Sequence, residues 1–305
     1  MKCIICKEEK NESDEHIIPE ALGNKKLITK RVCKDCNNRL GYNVDDYLVN
    51  HPLVKLLRID HNLLGKSGKK VKFFEAVETD KNTGSKYSTK NGSLVLQPRF
   101  IDNDDGIVRV EASNFDDGIA FFKKYLKRNG YTESQIEIFC EGAFVVENEL
   151  EPPTFEKEIS IDFLRFSLAA IKIAYEYAFT ILGEEYLDDE VAKLFSRELY
   201  KATQGNKREI VPSDEIARFV IFPISGTWVD KILVEQRERA TTMKVLHMVF
   251  FVKESNNIYC ILNLCMADGI SFAVKVSENA DFYPGELPLT WILEDGSFCT
   301  NLLMK

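Results

Sequence analysis

Apolar positions change their period several times along the chain. Between residues 162 and 182, Phe163, Phe166, Ala169, Ala170, Ile173 and Tyr177 fall at three- and four-residue spacing, which predicts a long helix with Asp162 as its N-cap. A second helix is predicted from about Asp188 to Thr203, after the break at Gly183. Three strand-like runs follow, VLHMVFFV, NIYCILNLCM and ISFAVKV, with turns at Asn256-Asn257 and Asp268-Gly269. They read as an antiparallel meander packed on the two helices. Further upstream, VKFFEAV (71–77) reads as a strand, and KYSTKNGSLVLQ as a hairpin turning at Asn91-Gly92. A helix is predicted after Asn114, with Asp116 and Asp117 in its first turn and Gly130 as its stop.

Two interruptions divide this pattern. HNLLGKSGKK (61–70) replaces apolar periodicity with Gly, Ser and Lys, as a linker does, and EPP begins at Glu151. The expected organisation is therefore a small domain over 1–60, a mixed β/α region over 71–150, and an α+β accessory or regulatory domain over 151–305. The fold class is α+β.

Composition supports a packed globule: 45% of residues are hydrophobic and 29% charged. No apolar run has the length of a bilayer span, and the opening MKCIICKEEK has no apolar signal core, so a cytoplasmic protein without a membrane partner is expected. The net charge of −8 conceals an asymmetry. Residues 1–72 carry 15 Lys and Arg against 10 Asp and Glu, and the remainder carries 25 against 38. A basic working end joined to an acidic body is implied, with Lys66, Lys69, Lys70 and Lys72 supplying part of the excess. The acidity of the body argues against a broad nucleic-acid surface there. It suits a regulatory protein partner or a second copy of the chain instead.

Of eight cysteines, Cys3, Cys6, Cys33 and Cys36 form two C-x2-C pairs separated by 26 residues. Without a secretory context, such pairs bind metal and do not form disulfides. Four thiolates suit a closed, tetrahedral, structural zinc site. Cys140, Cys260, Cys265 and Cys299 are scattered and read as small apolar residues.

Between the pairs lies DEHIIPEALGN, residues 14–24, which zinc binding alone does not require. His16 is the best neutral-pH proton acceptor in the segment, Glu15 is a cation-binding acid beside it, and Asn37 and Asn38 directly follow the last cysteine. The segments CIIC, DEHIIPEALGN and VCKDCNNRLG together resemble the HNH endonuclease family, in its branch with two C-x2-C zinc knuckles. The resemblance covers about residues 1–50.

It implies a ββα-metal fold, with Glu15 and Asn37 holding one magnesium or manganese ion and His16 acting as general base on DNA. Asn38 is the alternative to Asn37. Lys34 and Arg39, with Lys30 and Arg31 nearby, are the candidates for contacting phosphates. The chain departs from the family pattern twice: its acid is Glu where Asp is commoner, and Thr29, Lys30 and Arg31 occupy the stretch of the loop-orienting Asn. Asn24 is the candidate replacement. His51, His61 and His247 receive no role. Alternatives to a DNA endonuclease are a nuclease for RNA or structured DNA, and a non-catalytic zinc module that binds DNA or protein. A restriction or anti-phage role is an analogy to other HNH proteins.

Overall fold

The computed structural model describes all residues except 65–67, 73, 75, 92, 102–106, 147–151, 157, 207–209, 223–227, 241–243, 267–269, 284, 286 and 303–305. The chain divides into two compact units, one formed by Met1–Val71 with Ser160–Lys305, the other by Lys72–Ile159.

The first unit opens with the expected ββα arrangement. Strands β1 (Glu12–His16) and β2 (Ile28–Cys33) pair antiparallel, and helix α1 (Lys34–Leu40) starts at the next residue. One π turn (Gly41–Asp45), α2 (Asp46–Asn50) and α3 (Pro52–Asp60) follow. Pro52 suits the first turn of α3 because it has no N–H to satisfy, and His51 caps that helix by accepting from Leu53 N. Between β1 and β2, a 3₁₀ turn (Glu20–Leu22) ends at Gly23 with φ +94°. A Cβ at Gly23 would stand 2.7 Å from Leu246 Cδ2, so both the conformation and the close approach call for glycine.

The second unit contains β3 (Glu78–Thr79), β4 (Lys86–Lys90) and β5 (Ser93–Leu96) in one sheet, and β6 (Arg99–Ile101) with β7 (Arg109–Glu111) in another. Helices α4 (Phe115–Arg128) and α5 (Glu133–Glu141) complete it. Asn114 caps α4 by accepting from Asp117 N at 2.8 Å, as its sequence predicts. The β4–β5 hairpin closes Lys90 on Ser93, with Asn91 at φ +53°; Gly92 lies outside the described residues. The strand expected over 71–77 is corrected to the short β3. Phe74 is buried against Phe155, ring centroids 4.8 Å apart, so its apolar signal comes from an aromatic contact and not from sheet pairing.

Back in the first unit, α6 (Phe163–Leu182) and α7 (Glu190–Gln204) are the anticipated helix pair. Asp162 caps α6 by accepting from Arg165 N, and Asp189 caps α7 by accepting from Val191 N. Short β8 (Val220–Ile221) and helix α8 (Trp228–Ala240) precede the meander of β9 (Val245–Glu254), β10 (Asn257–Leu264) and β11 (Ile270–Ser277). The β9–β10 turn sits one residue earlier than expected, at Ser255-Asn256, with Ser255 at φ +55°. The Asp268-Gly269 turn lies outside the described residues. Two strands missing from the sequence reading, β12 (Pro288–Leu293) and β13 (Phe298–Leu302), widen the sheet to the order β13-β12-β9-β10-β11-β8.

Alternation along β9 explains the layering. Val249 and Phe251 join the core that contains α6 and α7, while Met248 and Phe250 join Val229 and Leu233 of α8. The first core also contains Ile4, Ile5, Ile17, Ile18, Leu22, Leu40 and Leu48, so the cysteine-bearing segment shares it. Every residue of α6 from Phe166 to Phe179 is buried, including Lys172 and Glu176. Among the described residues, no helix is long and apolar enough to cross a membrane.

His247 links the sheet to the loop between β1 and β2. Its Nδ1 accepts from Cys265 N at 3.0 Å, so Nε2 carries the proton and donates to Leu22 O. Burial holds its pKa down to about 4, below the ordinary value of 6.5, and nearby His61 adds to the depression. The unfolded chain therefore takes up a proton between pH 6.5 and 4 that the folded chain refuses, and stability falls as pH drops through this window. The expected loss from this residue is about 3 kcal/mol across the window. Urea unfolding at pH 7 and pH 4.5 should show a smaller pH-dependent loss for His247→Gln than for the wild type, although the variant starts less stable at pH 7. Equal pH-dependent losses would contradict this assignment.

Candidate active site

Cys3 and Cys6 flank the turn that opens the chain, Cys33 ends β2, and Cys36 lies in the first turn of α1. Their four sulfur atoms all lie within 4.8 Å of one another, and Cys6 Sγ is 3.9 Å from Cys33 Sγ. Tetrahedral zinc with bonds of about 2.3 Å separates its sulfur ligands by about 3.8 Å, so the set fits that ion. Cys33 N donates to Cys3 Sγ at 3.3 Å, as an amide does to a thiolate. A hydrogen bond from Cys36 lowers the Cys3 thiol, and the same bond raises that of Cys36. Four sulfurs this close cannot all ionise without a cation among them. All four positions are protein ligands, so zinc bound here supplies structure and leaves no place for a reacting water.

Beyond this cradle, β1 sends consecutive side chains to different environments. Asp14 is exposed, Glu15 is buried at 3% exposure, and His16 is half-buried at the strand end. Opposite them, the register skips one residue on β2 between Thr29 and Val32. A bulge of this kind re-aims the neighbouring side chains. Asn37 on α1 donates from Nδ2 to Asp14 O at 3.0 Å and to Ser13 Oγ at 3.2 Å. A backbone carbonyl only accepts, so this bond fixes the orientation of the amide and leaves Oδ1 as the atom that can serve a ligand. Asn38 is exposed.

Glu15 points to a partner that sequence reasoning missed. Lys172 of α6, with no exposed surface, places Nζ 2.5 Å from Glu15 Oε1, 3.1 Å from Asp45 Oδ2, 3.5 Å from Glu176 Oε2 and 3.3 Å from His16 O. Burial alone would depress this ammonium, but Asp45, Glu15 and Glu176 outweigh it and keep it charged. Burial pushes the Glu176 carboxyl well above the usual range, with Lys172 countering only in part. The signal in the sequence was a Lys and a Glu one helical turn apart in the middle of a mostly apolar helix.

The loop from Ile17 to Leu27 is held by Asn24. Fully buried, it donates from Nδ2 to Ile18 O at 2.8 Å and Leu27 O at 2.9 Å, and accepts at Oδ1 from Leu27 N at 2.9 Å and Lys26 N at 3.3 Å. This is the loop-orienting task for which the chain lacks an Asn in the Thr29–Arg31 stretch. Lys25 N adds a bond to Gly296 O, in the β12–β13 turn. Among the basic residues, Lys30 pairs with Glu12, and Arg31 pairs with Glu184 while lying over the Phe179 ring. Lys34 and Arg39 are exposed and have no acidic partner among the described residues.

Residues 3–53 match the family model described as HNH endonuclease. The N-terminal module is of that family. Neither the curated proteins nor the solved structures provide a match to the chain. For the divalent ion that HNH chemistry uses, Asn37 would offer Oδ1, since Nδ2 is the atom bound to Asp14 O and Ser13 Oγ. The ion does not fit at Glu15: that carboxylate is buried and already neutralised by an ammonium, whereas magnesium and manganese keep much of their water shell and need an accessible oxygen. Among the described residues, the four cysteines are the group of His, Cys, Asp and Glu side chains placed closely enough to share an ion.

Protein purified without chelator is expected to carry about one zinc per chain by elemental analysis. Stripping it should unfold the HNH module, because the free thiols cannot reproduce the tetrahedral cross-link. A zinc-free protein with unchanged circular dichroism and melting temperature would exclude a structural zinc. Asn24→Ala leaves several buried backbone groups of the loop unpaired, and should lower stability by about 2–4 kcal/mol in denaturant unfolding.

Proposed function

We propose that the chain is an endonuclease that hydrolyses phosphodiester bonds of DNA, with His16 as general base. The observation that carries this reading is the placement of His16 at the open end of β1 in an HNH ββα module, with Asn37 of α1 bound across to the residue two before it. A water beside a bound phosphate gives its proton to the His16 imidazole as it attacks phosphorus; the P–O bond to the leaving sugar oxygen breaks, and that oxygen takes a proton from solvent. Asn37 keeps the end of β1 fixed against α1, so that the imidazole does not drift from the attacking water. Lys34 and Arg39, exposed on the same helix, offset the charge of flanking phosphates. Magnesium or manganese is the expected cofactor, with Asn37 as its contact from this chain.

The basic balance of residues 1–72 supports binding through this end, and the acidic remainder is assigned to regulation or assembly. Linear and supercoiled DNA are the favoured substrates, with RNA as the comparison.

Full-length protein with magnesium or manganese is expected to nick and linearise plasmid. His16→Ala should keep the native melting temperature and lose about 10²–10⁴ in cleavage rate. Full activity in a folded His16→Ala protein excludes His16 as base. No cleavage of plasmid or RNA by the wild type under either metal removes the nuclease reading.

A further inference from the structure

Lys172 lies far from the HNH module in sequence and at its centre in space. Its ammonium touches the residue before His16, the carbonyl of His16, and Asp45 in the π turn after α1. One side chain therefore ties together both arms of the module, the strand that carries His16 and the helical run that carries Asn37. The Lys172 side chain is fully buried and Glu15 nearly so, which shields the contact between them from water. Glu15 has its oxygen on Lys172 at the shortest of these distances, which is the role of an anchor.

We propose that Lys172 is a positioning residue of the nuclease centre and that Glu15 is its counterpart, an anchor for the His16 strand and not a ligand of the catalytic ion. This inference rests on the nuclease reading above. It makes the geometry of the active site a property of α6 as much as of the first fifty residues. A small displacement of a general base is enough to cost about 10²-fold in rate. Neither Lys172 nor Glu15 reaches solvent, so neither contributes to substrate affinity.

The test uses the full, zinc-loaded chain with Glu15→Gln, Lys172→Met and the double variant, which removes the ammonium together with its nearest carboxylate; the fold of each is checked by circular dichroism, and Glu15→Gln alone carries the test if neither Lys172→Met chain folds. Three readouts are taken: kcat and KM on a DNA oligonucleotide, manganese affinity by calorimetry, and ring resonances of the four histidines in histidine-labelled protein, with His16 assigned by its loss in His16→Ala. The expected result is a fall in kcat of about 10² in Glu15→Gln with KM within about twofold, and no further fall in the double variant. Manganese affinity should stay within about twofold, and the His16 resonances should shift in Glu15→Gln and in the double variant while those of His51 do not. A loss of manganese affinity of about tenfold or more in Glu15→Gln makes Glu15 a ligand and overturns the proposal. A double variant that falls by the product of the single effects, or unmoved His16 resonances, overturns it as well. If the wild type does not cleave at all, the nuclease reading has failed, and the histidine resonances alone decide whether Lys172 positions His16.

Discussion

The ammonium of Lys172 is the interaction on which the first unit turns. A lysine loses several kcal/mol of hydration when it is taken fully out of water, and only opposed carboxylates can offset that. Two of the three it finds, Glu15 and Asp45, belong to the HNH module. Helix α6 thus cannot be buried as it is unless the module lies on it, and the module cannot bury Glu15 without α6. Each half supplies the charge that makes the other half's burial affordable. The third carboxyl, Glu176, is itself fully buried on α6, and that burial pushes its pKa well above the usual carboxylate range while Lys172 draws it back down.

Around that centre the ordinary forces act in the usual proportions. A segment of fifty to sixty residues buries too little apolar surface to be stable alone, and two remedies are present at once. The thiolate cradle cross-links Cys3 and Cys6 to the start of α1, and the shared core extends from Ile17 and Leu22 through α6 to the sheet. Directed polar ties then fix the position of the loop on this greasy contact: Tyr175 and Ser196 both donate to Ile4 O, and His247 donates to Leu22 O. Hydrophobic burial sets that the parts associate, and these bonds set where.

Much of this was legible in the sequence where the signal is local. The cysteine spacing, the run DEHIIPEALGN, the caps at Asn114 and Asp162 and the meander are patterns within a few dozen residues, and the structure forms each of them except the strand over 71–77. What escaped depends on contacts distant in sequence. Lys172 and Glu15 are separated by 157 positions, and periodicity ranks Lys172 as a polar intruder on an apolar helix. The environment of Glu15 was hidden for the same reason: an acid before the His looks alike whether it faces a hydrated ion or an ammonium. Asn24 was visible as a residue, but its four bonds close a loop whose shape only the packed chain defines. The VKFFEAV run has the composition of a strand, yet Phe74 is buried by a ring contact with Phe155.

The division of the first unit between two stretches of chain, with Lys72–Ile159 between them, has a consequence for biosynthesis. Translation delivers the zinc cradle and His16 early, and α6 and the strands that clamp the Asn24 loop late. At about 5–20 residues per second, the interval between Val71 and Thr290 is roughly ten to forty seconds. For about the first half of that time the nascent module has its metal ligands but not the lysine that seats Glu15, and until its end it lacks the complete sheet that shares a core with Ile17 and Leu22. The packing around the Asn24 loop is complete only with the last strands, so a message broken or a ribosome stalled before them leaves the cysteine cradle without part of the core it shares in the finished chain.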